Sequence, residues 1–356
     1  MIDGCIKGVV MESKHMYRSA LEQLVKYVEE KDKSFLVTGA SGLIGSCIID
    51  LLALANENGK TNHIYALGRN AKRIKNRFSD NLESAYFHII EQDICCPLDD
   101  SFHFDYIIHC ASYADPIKYA KYPVETMKTN MLGGINVLEY AKKHKECRVE
   151  LLSSFEVYGN AGKSEYSETD VGILDFNQLR ACYPESKRVL ETLAKSYLEE
   201  YGVQVIIGRL SSVYGPTMTI DDSKAHAQFI RNAIEGKSIV LKSKGEQKRT
   251  YCYVMDAVSG IMCVLFRGKI GETYNISYEK SVITIAALAQ IIADKAESKV
   301  VFDAPSDAEK KGFSTSQDCI LNNNKLKALG WEGRYDLNHG ITECISILSN
   351  NFGKGA

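Results

Sequence analysis

From Ser34 onward the chain alternates short, largely apolar runs with longer stretches in which apolar residues recur every three or four positions. Phe35-Leu36-Val37, His63–Leu67, Tyr86–Glu91, Tyr106–Cys110, Val149–Ser153 and Val203–Arg209 are the short runs. None has a consistently polar side, as expected of strands covered on both faces. Between them lie the helical stretches Leu43–Asn56, Pro123–His144 and Tyr183–Tyr201. This alternation predicts an α/β fold: a Rossmann-type, doubly wound parallel sheet. After about Val213 the rhythm changes. A polar stretch, 215–225, leads to helix Gln228–Glu235, strand Ile239–Lys242 and a loop Ser243–Arg249. Helix Val254–Phe266, strand Glu272–Ile276, helix Ile283–Ala296, strand Lys299–Phe302 and a last helix follow. These predict a smaller C-terminal α/β lobe over the carboxyl edge of the sheet. Ahead of the first strand, Met16, Leu21, Leu24, Val25 and Val28 mark an amphipathic helix within 14–30, read as a packing extension.

A length of 356 residues suits one large domain or two intimately joined ones. The net charge of −2 offers no electrostatic footprint for nucleic acid or an anionic membrane. No apolar run approaches the roughly 18–20 residues of a spanning helix. Residues 1–30 lack the apolar core of a signal peptide. Eleven cysteines are scattered without a Cys-x-x-Cys, which fits a reducing cytoplasm rather than a disulfide framework. Eight histidines show no metal-ligand spacing, so no metal is expected.

Three features carry chemistry. The first is Thr38-Gly39-Ala40-Ser41-Gly42-Leu43-Ile44-Gly45, which follows a strand and opens a helix. Gly39, Gly42 and Gly45 permit a tight turn and close approach of a pyrophosphate, and the helix N-terminus offers free N–H groups. Ser41, Leu43 and Ile44 belong to the same cradle. The acidic residue expected at the end of the second strand is missing, and Leu67-Gly68-Arg69-Asn70 stands there instead. Arg69, with Lys72 or Arg73, can meet a 2′-phosphate, so the cofactor is read as NAD or NADP. Asp93-Ile94, at the end of the third strand, is placed to read an adenine.

The second feature is Ser153-Ser154, closing the fifth strand, where Ser154 can orient a substrate hydroxyl. The third is the pair Tyr183 and Lys187, four apart in Arg-Ala-Cys-Tyr-Pro-Glu-Ser-Lys and so on one helix face. A tyrosine with a pKa near about 10 needs a neighbouring ammonium to act as a base. Together they describe hydride transfer at a carbinol carbon. The expected organisation is an extension, 1–33; a dinucleotide-binding domain, 34–212, to which 250–268 return; and a substrate lobe, 213–249 and 269–356.

With these motifs the chain resembles the extended short-chain dehydrogenases/reductases of the nucleotide-sugar epimerase/dehydratase family over about 34–350. His109-Cys110-Ala111-Ser112, Ser153-Ser154-Phe155-Glu156-Val157-Tyr158-Gly159, Arg209-Leu210-Ser211-Ser212-Val213-Tyr214-Gly215-Pro216 and Gln247-Lys248-Arg249 are similar too. Within the family, Arg-Ala-Cys-Tyr-Pro-Glu-Ser-Lys-Arg most resembles UDP-glucuronate decarboxylases. The resemblance implies that Tyr183 takes the proton of a sugar 4-hydroxyl while hydride leaves, giving a transient 4-keto sugar. That ketone is then decarboxylated, epimerised or dehydrated. It implies Ala111 at the cofactor, Ser112 and Ser212 at the substrate, Arg249 on the diphosphate and Glu156 beside the reacting carbons. His109 is a strand-end residue shaping the cofactor site. Phe155 replaces the aspartate acid of 4,6-dehydratases, and Thr217-Met218 replaces the Arg-Met of decarboxylases. A nucleotide-diphosphate-sugar substrate and a homodimer through 123–144 and 183–201 are implied. A non-catalytic dinucleotide-binding protein of the same fold is the alternative.

Overall fold

The computed structural model describes residues 13–219, 221–305 and 318–352, so residues 1–12 of the expected extension lie outside it. In chain order the first half supplies α1 (residues 13–22), β1 (Ser34–Thr38), α2 (Leu43–Glu57), β2 (His63–Gly68), α3 (Ala71–Arg77) and β3 (Phe87–Glu91). Next come β4 (Tyr106–His109), α4 (Pro116–Lys121), α5 (Pro123–Lys143), β5 (Arg148–Ser154), β6 (Glu165–Tyr166), α6 (Cys182–Tyr201) and β7 (Gln204–Leu210). The second half supplies β8 (Ser212–Tyr214), α7 (Ala225–Ile234), β9 (Ile239–Leu241), β10 (Lys248–Tyr253), α8 (Val254–Arg267) and β11 (Thr273–Ile276). It ends with β12 (Val282–Thr284), α9 (Ile285–Lys295), β13 (Val300–Phe302), β14 (Ile320–Leu321), α10 (Asn324–Lys327) and α11 (Leu337–Phe352).

Seven parallel strands form the central sheet in the order β11-β7-β5-β4-β1-β2-β3. Successive side chains of a strand point to opposite faces. Phe35 and Val37 of β1 therefore join a core with Ile48 and Leu52 of α2 and Val258 and Ile261 of α8. Leu36, between them, joins Val137 and Leu138 of α5 and Leu190 and Ala194 of α6. Each such side chain contributes about 1.5–3 kcal/mol by leaving water, and both faces contribute. That double cover is why these strands carry no polar alternation. The order reverses between β1 and β4, and a crevice opens there at the carboxyl ends of the strands.

The lobe is built from β12-β10-β8, the pair β13-β9, the pair β14-β6, and helices α7, α9 and α11. Four expectations change. Thr273–Ile276, read as part of the lobe, is β11, which pairs with β7 as the seventh strand of the sheet. The loop expected over Ser243–Arg249 ends early, because Lys248 and Arg249 already pair with Thr284 and Ile283. The helix expected from Ile283 starts at Ile285, since the Thr284 side chain accepts the Ala287 N–H at 3.1 Å and caps it. The N-terminal helix stops at residue 22 and continues as a 3-10 turn, Val25–Tyr27, with Leu21, Leu24 and Val28 buried in the α2/α8 core.

Candidate active site

The residues expected at the site, Lys187 apart, line one cleft of about 820 Å³ between the strand ends and the lobe. Its floor is the loop from β1 to α2. Gly39 has φ +66°, and a Cβ there would come within 3.0 Å of the Ala111 backbone. A Cβ on Gly45 would come within 2.5 Å of the Gly39 carbonyl oxygen. Glycine keeps this cradle open, and Gly42, just ahead of α2, offers no side-chain cap, so the first N–H groups of the helix remain for a ligand. The Ala111 N–H donates to Thr38 Oγ1 at 3.1 Å, and Thr38 Oγ1 lies 2.9 Å from His109 Nδ1. These bonds hold β1 and β4 together under the loop. Burial and the Lys187 ammonium push His109 down to about 3, so its ring is neutral and structural. A dinucleotide pyrophosphate fits these features.

At the other end, α6 presents Tyr183 and Lys187 on one face. Lys187 is buried behind the cleft wall and donates to the Leu152 carbonyl at 2.7 Å. Burial lowers its ammonium to about 8, while Cys110 and Glu191 oppose the shift. Tyr183 is buried too, and its phenol is raised by burial and by the Glu156 carboxylate. The hydrogen bond from Ser154 and the Arg180 guanidinium pull it back down. The helix is fixed from both sides. Asn130 Nδ2 donates to Ser186 Oγ at 2.8 Å, Ser186 Oγ donates to the Tyr183 carbonyl at 2.9 Å, and Ser112 Oγ donates to Asn130 Oδ1 at 2.7 Å. One turn past Lys187, Glu191 accepts from Ser153 Oγ at 2.5 Å and from Arg209 Nη2 at 2.7 Å. Arg209 in turn donates to the Glu168 carbonyl at 2.9 Å. Tyr183, Lys187 and Glu191 thus form a stripe locked to the end of β5.

Two side chains that sequence reasoning passed over complete this end. Arg180 Nη2 lies 2.9 Å from Glu156 Oε2, with both side chains largely buried. It also donates to the Tyr119 hydroxyl at 3.3 Å. The Tyr119 ring stacks on Tyr183, with centroids 5.2 Å apart and planes 16° from parallel. Arg180 stands one helical turn before Tyr183 in the same motif, and that spacing is the signal for it. Glu156 is therefore an ion-paired carboxylate against the tyrosine stack. Arg249, on β10, is buried on the lobe wall, and its Nη1 donates to the Lys248 carbonyl at 2.9 Å. Thr217 is turned away from the cleft and donates to the Leu43 carbonyl at 2.7 Å, tying the lobe to the first turn of α2. Over the mouth, Lys118 of α4 reaches Asp221 at 2.7 Å, and Asp115 accepts the Ser223 N–H at 2.6 Å. Arg69 leaves the end of β2 and donates to the Tyr113 hydroxyl at 2.7 Å.

Comparison with known proteins agrees with this geometry. Residues 35–277 match the NAD dependent epimerase/dehydratase family. UDP-glucuronic acid decarboxylase 6 of Arabidopsis thaliana is 32% identical over 315 residues, 88% of each chain. UDP-glucuronic acid decarboxylase 1 of Xenopus tropicalis is 31% identical over 325 residues, 90% of this chain and 73% of that one. Among solved structures, a UDP-glucuronic acid 4-epimerase from Bacillus cereus, in complex with UDP-glucuronic acid and NAD, superposes with a TM-score of 0.77. It is 21% identical, covering 90% of this chain and 100% of that one. A dTDP-glucose 4,6-dehydratase from Bacillus anthracis, in complex with NAD, gives 0.74 at 23% identity, over 90% and 98%. The chain belongs to the NAD-dependent epimerase/dehydratase family.

Proposed function

We propose that this protein decarboxylates UDP-glucuronate through a 4-keto sugar. The observation that carries the reading is the Glu156–Arg180 pair set against the Tyr119–Tyr183 stack. When bound, the dinucleotide accepts hydride from carbon 4 and later returns it. Ser154 holds the 4-hydroxyl and Tyr183 takes its proton, with the Ser154 hydrogen bond and the Arg180 guanidinium favouring the phenolate. A ketone at carbon 4 makes the 6-carboxylate that of a β-keto acid. The bond between carbons 5 and 6 breaks, carbon dioxide leaves, and its electron pair passes into a 4,5-enolate. Carbon 5 takes up one proton, and Tyr183 returns its proton to oxygen 4 as the pentose forms.

Arg180 is the guanidinium beside the reacting carbons, and it can exchange Glu156 for the sugar carboxylate. The Glu156 carboxylate, left beside the 6-carboxylate, raises the energy of that anion relative to neutral carbon dioxide and so favours its departure. Arg249 suits the diphosphate. Phe155 offers no proton for a departing 6-hydroxyl, which weighs against dehydration. Eight relatives of this chain share the decarboxylase name, at 28–32% identity. Mass spectrometry of products from UDP-glucuronate, UDP-glucose and dTDP-glucose tests the reading. Loss of carbon dioxide from UDP-glucuronate is expected. Conversion of UDP-glucuronate without a change in mass points instead to epimerisation, and cofactor binding with no turnover of any sugar overturns the enzyme reading.

The reading includes a homodimer, supported by Val124, Met127 and Leu132 of α5 and Val189 of α6, all exposed. Light scattering at the elution peak gives the mass that decides it. It also includes a reducing compartment, the cytoplasm. The ten cysteines among the described residues are all unpaired, and no helix among them is long and apolar enough to cross a membrane.

A further inference from the structure

We propose that the cofactor site selects the 2′-phosphate of NADP over the free ribose diol of NAD. An NAD site on this fold uses a carboxylate at the end of β2 to accept both ribose hydroxyls, whereas an arginine there accommodates the phosphate. β2 ends at Gly68, which has no side chain to offer, and Arg69 follows it. Arg69 and Arg73 line the cleft, as does Ser41 of the glycine loop. Arg69 is held in place by Tyr113, which also lines the cleft. Its Nη1 donates to the Tyr113 hydroxyl at 2.7 Å, and its guanidinium carbon sits 5.1 Å from that ring's centroid. Most of its N–H donors stay available, in the planar fork that suits a phosphate. Asn70 accepts the Arg73 N–H at 2.8 Å, which fixes the backbone from which the second guanidinium starts.

Of the neighbouring carboxylates, Glu91 is engaged away from the cleft, and the charge of Asp93 acts on Arg69 itself. Glu91 stands opposite Gly68 on β3, but its Oε1 accepts the Ala71 N–H at 2.9 Å, on the α3 side and off the cleft wall. Asp93 lies on the wall beyond β3, one strand further from the glycine loop than β2, with its Oδ1 accepting the Cys95 N–H at 2.9 Å. A ribose diol set over Gly68 finds no acceptor from β2, and a phosphate dianion there meets two guanidiniums. The inference departs from the family's NAD dependence and does not depend on which sugar is turned over.

Calorimetric titration of the nucleotide-free protein with NADP⁺ and with NAD⁺, in the absence of any sugar, tests it. NADP⁺ is expected to bind at least about tenfold more tightly, as a charge-assisted phosphate contact implies. In Arg69→Ala most of that advantage is lost while NAD⁺ affinity stays within about twofold, since the diol makes no use of the guanidinium. Equal or tighter binding of NAD⁺ by the unmodified protein overturns the proposal. So does a variant that is folded by circular dichroism yet weakened equally for both nucleotides. Mass spectrometry of nucleotide released from freshly purified protein gives an independent reading: NADP or NADPH is expected, and NAD or NADH counts against it.

Discussion

The two ends of the cleft are built in opposite ways. At the end holding Ser154, Tyr183 and Lys187, buried bonds converge from β5, β7, α5 and α6, fixing the Lys187 ammonium and the stretch of α6 that carries Tyr183. At the Arg69 and Arg73 end, the side chains are exposed and β2 supplies a bare glycine. The first end performs a step common to a whole family and tolerates little change. The second meets a part of the cofactor that never reacts, so its residues can vary without disturbing hydride transfer. Beside the first end, Glu156 pairs with Arg180 against the tyrosine stack, and on the proposed reaction that pair acts on the ketone once oxidation has made it.

The sharpest way to break this contrast is Tyr183→Phe. Turnover should fall about a thousandfold, within the usual range for losing a general acid–base group, while nucleotide affinity holds. Steady-state rates and calorimetry on one preparation check both halves. Glu156→Gln, which removes the carboxylate charge, is expected to slow carbon dioxide release about a hundredfold while leaving oxidation intact. Reduced nicotinamide should then build up in its absorbance band on mixing with UDP-glucuronate. Equal slowing of both steps would remove Glu156 from the second one.

Lys187 predicts the pH profile. Burial has lowered it, so the ammonium is present below about 8 and lost above. Activity that needs the cation falls as pH rises through that value. Glu191 favours the ammonium, so Glu191→Gln should move this alkaline limb to lower pH and reduce kcat about tenfold through loosened positioning of α6. A limb that stays in place makes Glu191 a packing residue only. The smallest effect belongs to Lys118→Ala, which removes a half-exposed ion pair over the cleft mouth. KM should rise by less than about threefold, because such pairs contribute little.

Legibility in the sequence divides along the same line. The sheet was readable because strands buried on both faces are continuous apolar runs, and the glycine cradle, Ser154, Tyr183 and Lys187 sit in compact motifs with fixed spacing. β6, β8, β12 and β14 were not readable, since two or three residues show no period, whereas the equally short β9 and β13 stand out as wholly apolar runs of three. β11 was misplaced because its partner, β7, lies far back in the chain and local pattern does not name partners. Arg180 stood inside a motif already noticed. Its meaning depends on its distance from Glu156, and that distance is set by how β5 and α6 pack, which no local spacing reports.

Arg249 sits on β10, and β10 passes into α8 without an intervening loop. α8 lies wholly against the sheet, and the chain leaves it to become β11, the sheet's own edge. The wall that meets substrate is thus spliced into the scaffold that meets cofactor. As a building block, the lobe has no clean point of detachment. Anyone seeking new sugar specificity by exchanging it between relatives must transplant α8 and β11 along with it, or cut the core in two.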